Sequence, residues 1–239
     1  MISLIDGDVL LYASIWGTEG LEEAQENFSN KLQENLEACW ADEYAMALGG
    51  PNNFRVNLYP EYKRSKSRIK SSSNKPEWFD MLKAYAHHQH EGVICDGYEA
   101  DDQLRIWANE CITNGKDYIV DSIDKDLDCI VGKHYNGRKG KIYEVSEEYA
   151  ERFYWTQLLM GDSVDNIPGI EGIGPKKAQN LLADYSQRQD YKRIVSQAYN
   201  NKYPEDGFER MLLNGKLLHI WRSYGDHFSF SREEYNAAL

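Results

Sequence analysis

The 239-residue chain is long enough for one large α/β domain, or for such a domain with a small helical annex. Hydrophobic residues make up 41% of it, and no apolar run approaches the roughly 20 residues that cross a bilayer, so we expect no membrane span. The net charge of −12 taken alone argues against binding to nucleic acid, whose partners usually carry a basic surface. The acidic and basic residues are segregated, however, and their distribution matters more than their sum.

The start of the chain lacks the basic segment of a secretory signal and already contains Asp6 and Asp8. We therefore expect residues 1–12 to form a folded strand and the start of a helix. Four cysteines are scattered without a CxxC spacing, which favours buried thiols over disulfides or a zinc site. A reducing, cytoplasmic location is the corresponding expectation.

Strand and helix patterns alternate over the first 145 residues, which predicts a mostly parallel sheet flanked by helices. The predicted elements are strands at 2–5, 44–48, 92–95 and 118–120, helices at 19–40, 77–89 and 99–114, and a hairpin at 134–145 that turns at Asn136-Gly137. After residue 146 only helices are predicted, at 147–160, 175–185, 187–200 and 206–224. The expected organisation is an α/β domain at 1–145 and a helical region at 146–239, which together form one compact unit.

Acidic residues cluster where predicted strands end or helices begin. They are Asp6 after the first strand, Glu99, Asp101 and Asp102 at a helix start, Asp124 and Asp126 after the strand at 118–120, and Asp162 and Asp165 after the helix at 147–160. Ligands of open parallel sheets bind outside the carboxyl ends of the strands. Any one pair alone is better explained as helix capping. Several groups in the same topological position instead predict a site for hard divalent cations, Mg²⁺ or Mn²⁺, that neutralise the converging carboxylates.

Two further segments carry positive charge. A stretch with few apolar residues contains Lys63, Arg64, Lys66, Arg68, Lys70 and Lys75, and it either contacts nucleic acid or is a solvated run of charge. Residues 166–178 read NIPGIEGIGPKKA, where Gly169, Gly172 and Gly174 permit a tight hairpin with positive φ angles before a new helix. The turn amides, the helix N-terminus and the charges of Lys176 and Lys177 predict a grip on a nucleic-acid backbone.

At this point the motifs resemble those of a known family. GDSVDNIPGIEGIGPKKA is similar to the GDxxDNxPGxxGxGxKxA pattern of flap endonucleases and 5′–3′ exonucleases, which include bacteriophage enzymes and the 5′ nuclease domain of bacterial DNA polymerase I. LIDGDVLLY, FRVNLYPEYKRSK, YEADD and DSIDKDL resemble the other motifs of that family, in the family's order. The resemblance extends from residue 3 to about residue 185.

The resemblance implies a PIN-like α/β fold whose C-terminal helical region contains a helix-three-turn-helix DNA-binding module, with an arch at about 60–90. It implies two Mg²⁺ ions, replaceable by Mn²⁺, bound by all eight acids named above, and a K⁺ ion at the hairpin. Lys63, Asp124 and Asp126 are the implied catalytic residues, with Lys63 at the scissile phosphate. The implied DNA-binding residues are Arg55, Lys63, Lys66, Gly169, Gly172, Gly174, Lys176 and Lys177.

Two positions depart from the family pattern. The family has an aspartate just upstream of the Phe-Arg pair, and counting back from Phe54 places Leu48 there. Lys66 stands where the family has an arginine. Lysine keeps the positive charge but cannot make the paired hydrogen bonds of a guanidinium. We expect altered metal affinity or substrate grip rather than inactivity.

The predicted function is therefore a structure-specific 5′ nuclease that hydrolyses DNA at 5′ ends, flaps or nicks by two-metal chemistry. We expect a monomeric, stand-alone replication enzyme, in the host cytoplasm if it is encoded by a phage, and RNA–DNA hybrids remain open as substrates. The alternatives are a DNA-junction binding protein with weakened catalysis, which the gap at Leu48 favours, and a PIN-type ribonuclease, which the hairpin disfavours.

Overall fold

The structure is a computed structural model that describes all residues except 67–74, and the chain divides into two compact units. The first unit contains the described residues of Met1–Phe54, Asn74–Ser146 and Ile220–Gly225, and the second contains those of Arg55–Ser73, Glu147–His219 and Asp226–Leu239. Arg68 and Lys70 of the predicted basic stretch, and with them part of the predicted arch, lie outside the described residues.

A six-stranded sheet forms the centre of the first unit. Its strands are β1 (Ile2–Asp6), β2 (Glu43–Gly49), β3 (Val93–Cys95), β4 (Tyr118–Asp121), β5 (Gly132–Asn136) and β6 (Lys141–Val145), in the spatial order β3-β2-β1-β4-β5-β6. The first five strands are parallel, and β6 returns antiparallel to β5. The predicted mostly parallel sheet is confirmed, and every predicted strand is present.

Helices cover this sheet as the alternating pattern predicts. They are α1 (Gly7–Ser14), α2 (Leu21–Cys39), α4 (Phe79–Gln89) and α5 (Ala100–Thr113), while the short α3 (Phe54–Leu58) follows β2 in the chain. One core lies between α1, α2, α4 and a sheet face, where Ile5, Leu48 and Phe28 are almost fully buried. Because strand side chains alternate between faces, Asp6 follows Ile5 onto the opposite face.

The strand order reverses around β1, because the chain places β2 and β3 on one side of it and β4 on the other. Such a reversal opens a crevice outside the carboxyl ends of the strands, where ligands bind in open α/β sheets. Asp6 is the last residue of β1, and Asp124 follows β4 by three residues. The topology therefore places these two acids at the reversal point of the first unit.

The second unit is mainly helical. Its helices are α6 (Glu147–Met160), α7 (Pro175–Leu182), α8 (Arg188–Lys202), α9 (Gly207–Leu218) and α10 (Arg232–Ala237), and a two-stranded ribbon of β7 (Gly161–Asp162) and β8 (Ile167–Pro168) lies between α6 and α7. Trp155, Tyr191 and Tyr199 are almost fully buried in its core.

The sequence pattern was wrong at three places after residue 146. It did not predict the ribbon, whose strands have two residues each, or α10. The helix predicted at 206–224 ends at Leu218, because His219 adopts an extended backbone. Within the first unit, the backbone N–H of Trp221 then donates to the Asp102 side chain at 2.9 Å. A long-range contact of this kind leaves no periodic trace in the sequence.

All four cysteines are buried free thiols, as their spacing predicts. None of the helices in the described part of the chain combines the length and the apolar character needed to cross a membrane.

Candidate active site

Asp6 is a buried acid at the carboxyl edge of the sheet, with 5% of its surface exposed. Its Oδ1 accepts the Val9 N–H at 3.2 Å and caps α1, while its Oδ2 accepts the Ser122 hydroxyl at 2.9 Å. Burial, together with the charges of Asp8 and Asp124, raises the pKa of Asp6 to about 7, although the two hydrogen bonds act in the opposite direction. Such a carboxylate gains most from a nearby cation.

The loop after β4 is folded by its own polar side chains. The Asp124 N–H donates to the Ser122 hydroxyl at 3.0 Å, so one serine joins Asp6 to this loop. The Asp124 Oδ1 accepts the Asp126 N–H at 2.9 Å and caps the 3-10 turn Lys125–Cys129. A capping role and a role in a shared site are therefore compatible for these carboxylates, because the capping hydrogen bonds fix their positions.

The start of α5 contributes three more acids. Glu99 and Asp102 form a reciprocal capping box in which the Glu99 N–H donates to Asp102 Oδ2 at 2.9 Å. The Asn53 amide holds Glu99 Oε1 at 2.9 Å. Asp102 is fully buried, and its Oδ1 accepts the Trp221 N–H. Both oxygens of Asp102 thus bind backbone amides, whereas Glu99 and Asp101 remain partly exposed.

Two buried thiols of the first unit have raised pKa values, to which these acids contribute. Burial raises the pKa of Cys129 to about 11, with Arg105 opposing and the charges of Asp101 and Asp126 adding to the effect. Burial likewise raises the pKa of Cys95, to about 12, and both Asp8 and Asp102 contribute. The charges that act on Cys129 thus come from α5 and from the loop after β4, and those that act on Cys95 come from α1 and α5.

Among the residues that the structure describes, no three histidine, cysteine, aspartate or glutamate side chains are arranged closely enough to hold a metal ion. Asp6 and Asp124 accept hydrogen bonds from amide and hydroxyl donors.

In the second unit, Asp162 and Asp165 follow α6 through the ribbon. Asp162 Oδ1 accepts the N–H groups of Val164, at 2.6 Å, and of Asp165, at 3.2 Å. Lys63 Nζ lies 3.8 Å from Asp165 Oδ2, and the Lys63 N–H donates to the Asp165 carbonyl at 2.8 Å. Lys63 also has a φ of +58°, a left-handed conformation that is unusual for lysine and is held by these contacts.

The residues before and after Lys63 are hydrogen-bonded to the segment that contains Asp162 and Asp165. The Ser65 hydroxyl donates to the Val164 carbonyl at 2.6 Å, and the Asn166 amide donates to the Glu61 carbonyl at 2.9 Å. Lys66 is exposed. Two motifs about 100 residues apart in sequence therefore form one surface in the second unit, which keeps Lys63 beside Asp165.

The three hairpin glycines differ in what requires them. Only Gly172 has a positive φ, +81°, so the expectation of positive φ at Gly169 and Gly174 is wrong. Gly169 is required by close approach, because a Cβ there would lie 2.1 Å from the Met160 carbonyl carbon. Gly174 has an extended backbone and precedes Pro175 as the N-cap of α7. Since glycine has no capping side chain, the first amides of α7 can bind an anion.

Helices α8 and α9 support this hairpin. The Glu171 N–H donates to the Tyr203 hydroxyl at 3.1 Å, and Lys202 pairs with the Glu171 carboxylate at 3.0 Å. Arg210 lies over the Tyr203 ring at 4.4 Å. Glu171, Tyr203 and Arg210 border a cavity of about 500 Å³ that the hairpin lines. Lys176 and Lys177 are exposed on the first turn of α7.

The structure does not support the predicted DNA contact of Arg55. Its side chain is only 1% exposed, and within the second unit its Nε and Nη2 donate to the carbonyls of Leu217 and His219, at 2.9 and 2.6 Å. A guanidinium buried in this way supports the end of α9 and cannot reach a phosphate at the surface.

Sequence reasoning also missed two polar residues that organise the acids. Ser122 bridges Asp6 and the Asp124 amide, and Asn53 holds Glu99. Ser122 lies inside the DSIDKDL motif, which was a usable signal. Asn53 lies in the loop GGPNN, where its residue type predicts only a turn.

The fold and the acids together define a nuclease-like α/β protein, and comparison with known proteins identifies its family. A family profile described as "5'-3' exonuclease, C-terminal SAM fold" matches residues 149–229. The 5′–3′ exonuclease of Mycoplasma pneumoniae is 30% identical over 210 residues, which cover 76% of this chain and 71% of that protein. DNA polymerase I of Rhizobium leguminosarum is 35% identical over 141 residues, which cover 55% of this chain but only 14% of the polymerase.

A crystal structure of the bacteriophage T5 D15 flap endonuclease, described as a pseudo-enzyme-product complex with DNA and metal ions, has the same fold with a TM-score of 0.71. It is 20% identical, and the match covers 89% of this chain and 86% of that one. The chain belongs to the 5′–3′ exonuclease family.

Proposed function

We propose that this protein is a Mg²⁺-dependent, structure-specific 5′ nuclease that hydrolyses DNA phosphodiesters at 5′ ends, flaps or nicks. One observation carries the proposal: in the first unit the buried Asp6 at the end of β1 and the Asp124 amide after β4 share Ser122, at the point where the strand order reverses. Membership of the 5′–3′ exonuclease family and the description of the T5 enzyme with DNA and metal ions support it.

The donor set fits hard divalent cations. The candidate ligands are carboxylates throughout, with no cysteine or histidine among them, which favours Mg²⁺ or Mn²⁺ over zinc. In the first unit Asp6, Glu99, Asp101, Asp124 and Asp126 would hold the ions. Asp162, Asp165 and Asp102 are proposed as ligands from the family motifs. When bound, two such cations activate a water and stabilise the leaving oxygen of a phosphodiester.

The chain's own residues bind and orient the DNA. Lys63 contacts the scissile phosphate. The Asp165 carboxylate, and the hydrogen bond from the Lys63 N–H to the Asp165 carbonyl, keep the Lys63 amine in place. The hairpin amides, the N-terminus of α7 and the charges of Lys176 and Lys177 bind a duplex backbone without reading bases. A K⁺ ion at hairpin carbonyls and a monomeric state complete the proposal.

The decisive experiment is product sizing with 5′-labelled substrates. A 5′ flap, a nicked duplex, a blunt duplex and an RNA-primed duplex are each incubated with the protein in Mg²⁺, in Mn²⁺ and in EDTA. We expect cleavage near the 5′ end of the flap and of the nicked strand, only with a divalent ion. The RNA-primed arm determines whether RNA–DNA hybrids are substrates.

Two other results would change the assignment. Tight flap binding in EDTA without product in either metal would favour a junction-binding protein with weakened catalysis. Cleavage of single-stranded RNA in preference to every DNA substrate would favour a ribonuclease, because the proposed duplex grip would then have no purpose.

A further inference from the structure

The family acid missing at Leu48 cannot be supplied from that position. Leu48 is fully buried in the core beneath α1 and α4, on the same sheet face as Ile5. A Cβ added to Gly7 or Gly92 would lie 2.6 or 2.7 Å from the Leu48 methyl groups, so the side chain is tightly enclosed. The side chain therefore lies on the face of the sheet opposite to Asp6.

The position on the Asp6 face is the next residue, Gly49. Asp6 pairs in parallel register with Ala47, and Gly49 lies two residues further along β2 on the same face. Gly49 ends β2, and it is not among the residues with a positive φ, so its backbone accepts any side chain.

A carboxylate already occupies the space next to Gly49. Asp8 Oδ2 accepts the Gly49 N–H at 3.0 Å. A Cβ added to Gly49 would lie 2.5 Å from that oxygen and 3.5 Å from the Asp8 Cγ. A side chain at the end of β2 and the Asp8 carboxylate would therefore compete for one volume.

The Gly49 peptide is also fixed from its other side. Lys83 of α4 donates from Nζ to the Gly49 carbonyl. This contact keeps the end of β2 in place, so the position of the Asp8 carboxylate does not depend on a loose loop.

We propose that Asp8 is a metal-binding residue that replaces the missing family acid, supplied from the first turn of α1 instead of from the end of β2. The proposal rests on the proposed function, because it adds a ligand to that metal site. It also explains why glycine stands at position 49: any larger residue would displace the carboxylate.

A purely structural role for Asp8 makes a different prediction. If Asp8 only accepts the Gly49 N–H, Asp8→Asn keeps an oxygen acceptor of the same size and changes little. If Asp8 binds metal, the same substitution removes the charge and weakens metal binding although the fold is intact. Asp8→Asn therefore separates the two roles.

The test is calorimetric titration of the full chain with Mn²⁺ in the absence of DNA, with thermal unfolding of each variant measured in EDTA. We expect Asp8→Asn to unfold at nearly the wild-type temperature and to bind Mn²⁺ about 10–100-fold more weakly. The matched control is Asp128→Asn, which removes an acid of the 3-10 turn Lys125–Cys129 that accepts the Tyr143 hydroxyl at 2.7 Å. It should leave the Mn²⁺ affinity within about 2-fold of wild type.

A rescue variant makes the test independent of how Asp8→Asn folds. Asp8→Ala empties the space beside Gly49, and the double variant Asp8→Ala/Gly49→Asp returns a carboxylate to it from β2. We expect the double variant to recover most of the Mn²⁺ affinity that Asp8→Ala loses. Leu48→Asp should not restore affinity in the Asp8→Ala background, because its carboxylate would enter the apolar core.

Three outcomes are distinguishable. Wild-type affinity in Asp8→Asn, or no gain from Gly49→Asp in a folded double variant, would overturn the role of Asp8 and leave the proposed function standing. A wild-type chain that binds no Mn²⁺ would instead contradict the proposed function itself. Weakened binding in Asp8→Asn with recovery in the double variant would establish Asp8 as the replacement.

Discussion

The two units carry their proposed functional residues in different ways. In the first unit the acids lie at the edge of a sheet, and amides and hydroxyls hold them: Asp6 binds Val9 and Ser122, and Asp124 caps a 3-10 turn. In the second unit the hairpin and the lysines of α7 are exposed. The first arrangement concentrates negative charge in a fixed place, and the second presents amides and positive charge to solvent.

This difference indicates which residues tolerate change. A buried carboxylate costs free energy unless it is neutralised or paired, so the acids of the first unit reduce stability in exchange for function. An exposed lysine costs almost nothing and contributes one screened charge. Substitution of a buried acid in the first unit should therefore change both stability and chemistry, while substitution of an exposed lysine in the second should change only DNA affinity.

Lys63 is the sharpest exception, because it is a charged residue of the second unit with a fixed position. We expect Lys63→Ala to slow single-turnover cleavage of a 5′ flap by at least ~100-fold. Lys66→Ala is the control, since Lys66 is an exposed lysine three residues along. It should weaken flap binding while cleavage of the bound substrate stays near wild type. Equal cleavage rates for the bound substrate in both variants would contradict a special role for Lys63.

Gly169 tests whether the hairpin is fixed by close packing. Gly169→Ala should lower the free energy of unfolding by about 2–3 kcal/mol, because its Cβ would lie 2.1 Å from the Met160 backbone. Gly174→Ala should change it by less than about 0.5 kcal/mol, since no atom lies within 4 Å of a Cβ there. Chemical denaturation of both variants measures the difference. Equal midpoints would show that the ribbon adjusts more freely than its geometry indicates.

Asp121 tests the cost of burying acids in the first unit. Burial raises its pKa to about 6, and the Asn35 amide, which donates to Asp121 Oδ2 at 2.8 Å, only partly opposes this. Because the folded state binds this proton more tightly than the unfolded state, its contribution to stability is complete below pH ~4 and is lost as the pH rises through about 6.

Asp121→Asn should therefore raise the free energy of unfolding by about 1–3 kcal/mol at pH 7.5, and the gain should shrink towards zero near pH 4. Thermal unfolding across this pH range in EDTA measures it. A gain that is the same at both pH values would mean that packing, and not ionisation, decides the effect.

Lys176 and Lys177 should give the smallest effects. Each alanine variant should weaken duplex binding a few-fold and reduce the slope of log affinity against log salt concentration by about 1. Binding titrations in EDTA at several salt concentrations measure the slope. An unchanged slope would place that lysine outside the DNA contact.

The sheet could be predicted from the sequence because β1 to β4 are largely apolar runs between turns, helices alternate with them, and Asn136-Gly137 indicates the hairpin of β5 and β6. The acids could be placed at the strand ends for the same reason, as Asp6 and Asp124 show. Burial of Arg55 and the hydrogen bond from the Trp221 N–H to Asp102 could not be predicted, because both depend on contacts more than 100 residues away in sequence.

Asp8 illustrates a second limit. Counting residues places the family acid at Leu48, yet a strand alternates its faces, so a shift of one residue moves a side chain to the other side of the sheet. Only the register of β1 and β2, and the space beside Gly49, show that the carboxylate of Asp8 lies at the end of β2. Gly172 and Gly169 were both recognised as glycines the hairpin needs, but only the structure separates a positive φ from a close approach.

The central claim is that the acids at the carboxyl edge of the first unit's sheet carry out metal-dependent cleavage. Asp124→Asn tests it most directly, since asparagine retains the oxygen that accepts the Asp126 N–H and loses only the charge. Single-turnover cleavage of a 5′-labelled flap in Mg²⁺ should fall by at least ~100-fold while flap binding in EDTA stays near wild type. Cleavage at close to the wild-type rate would contradict the claim.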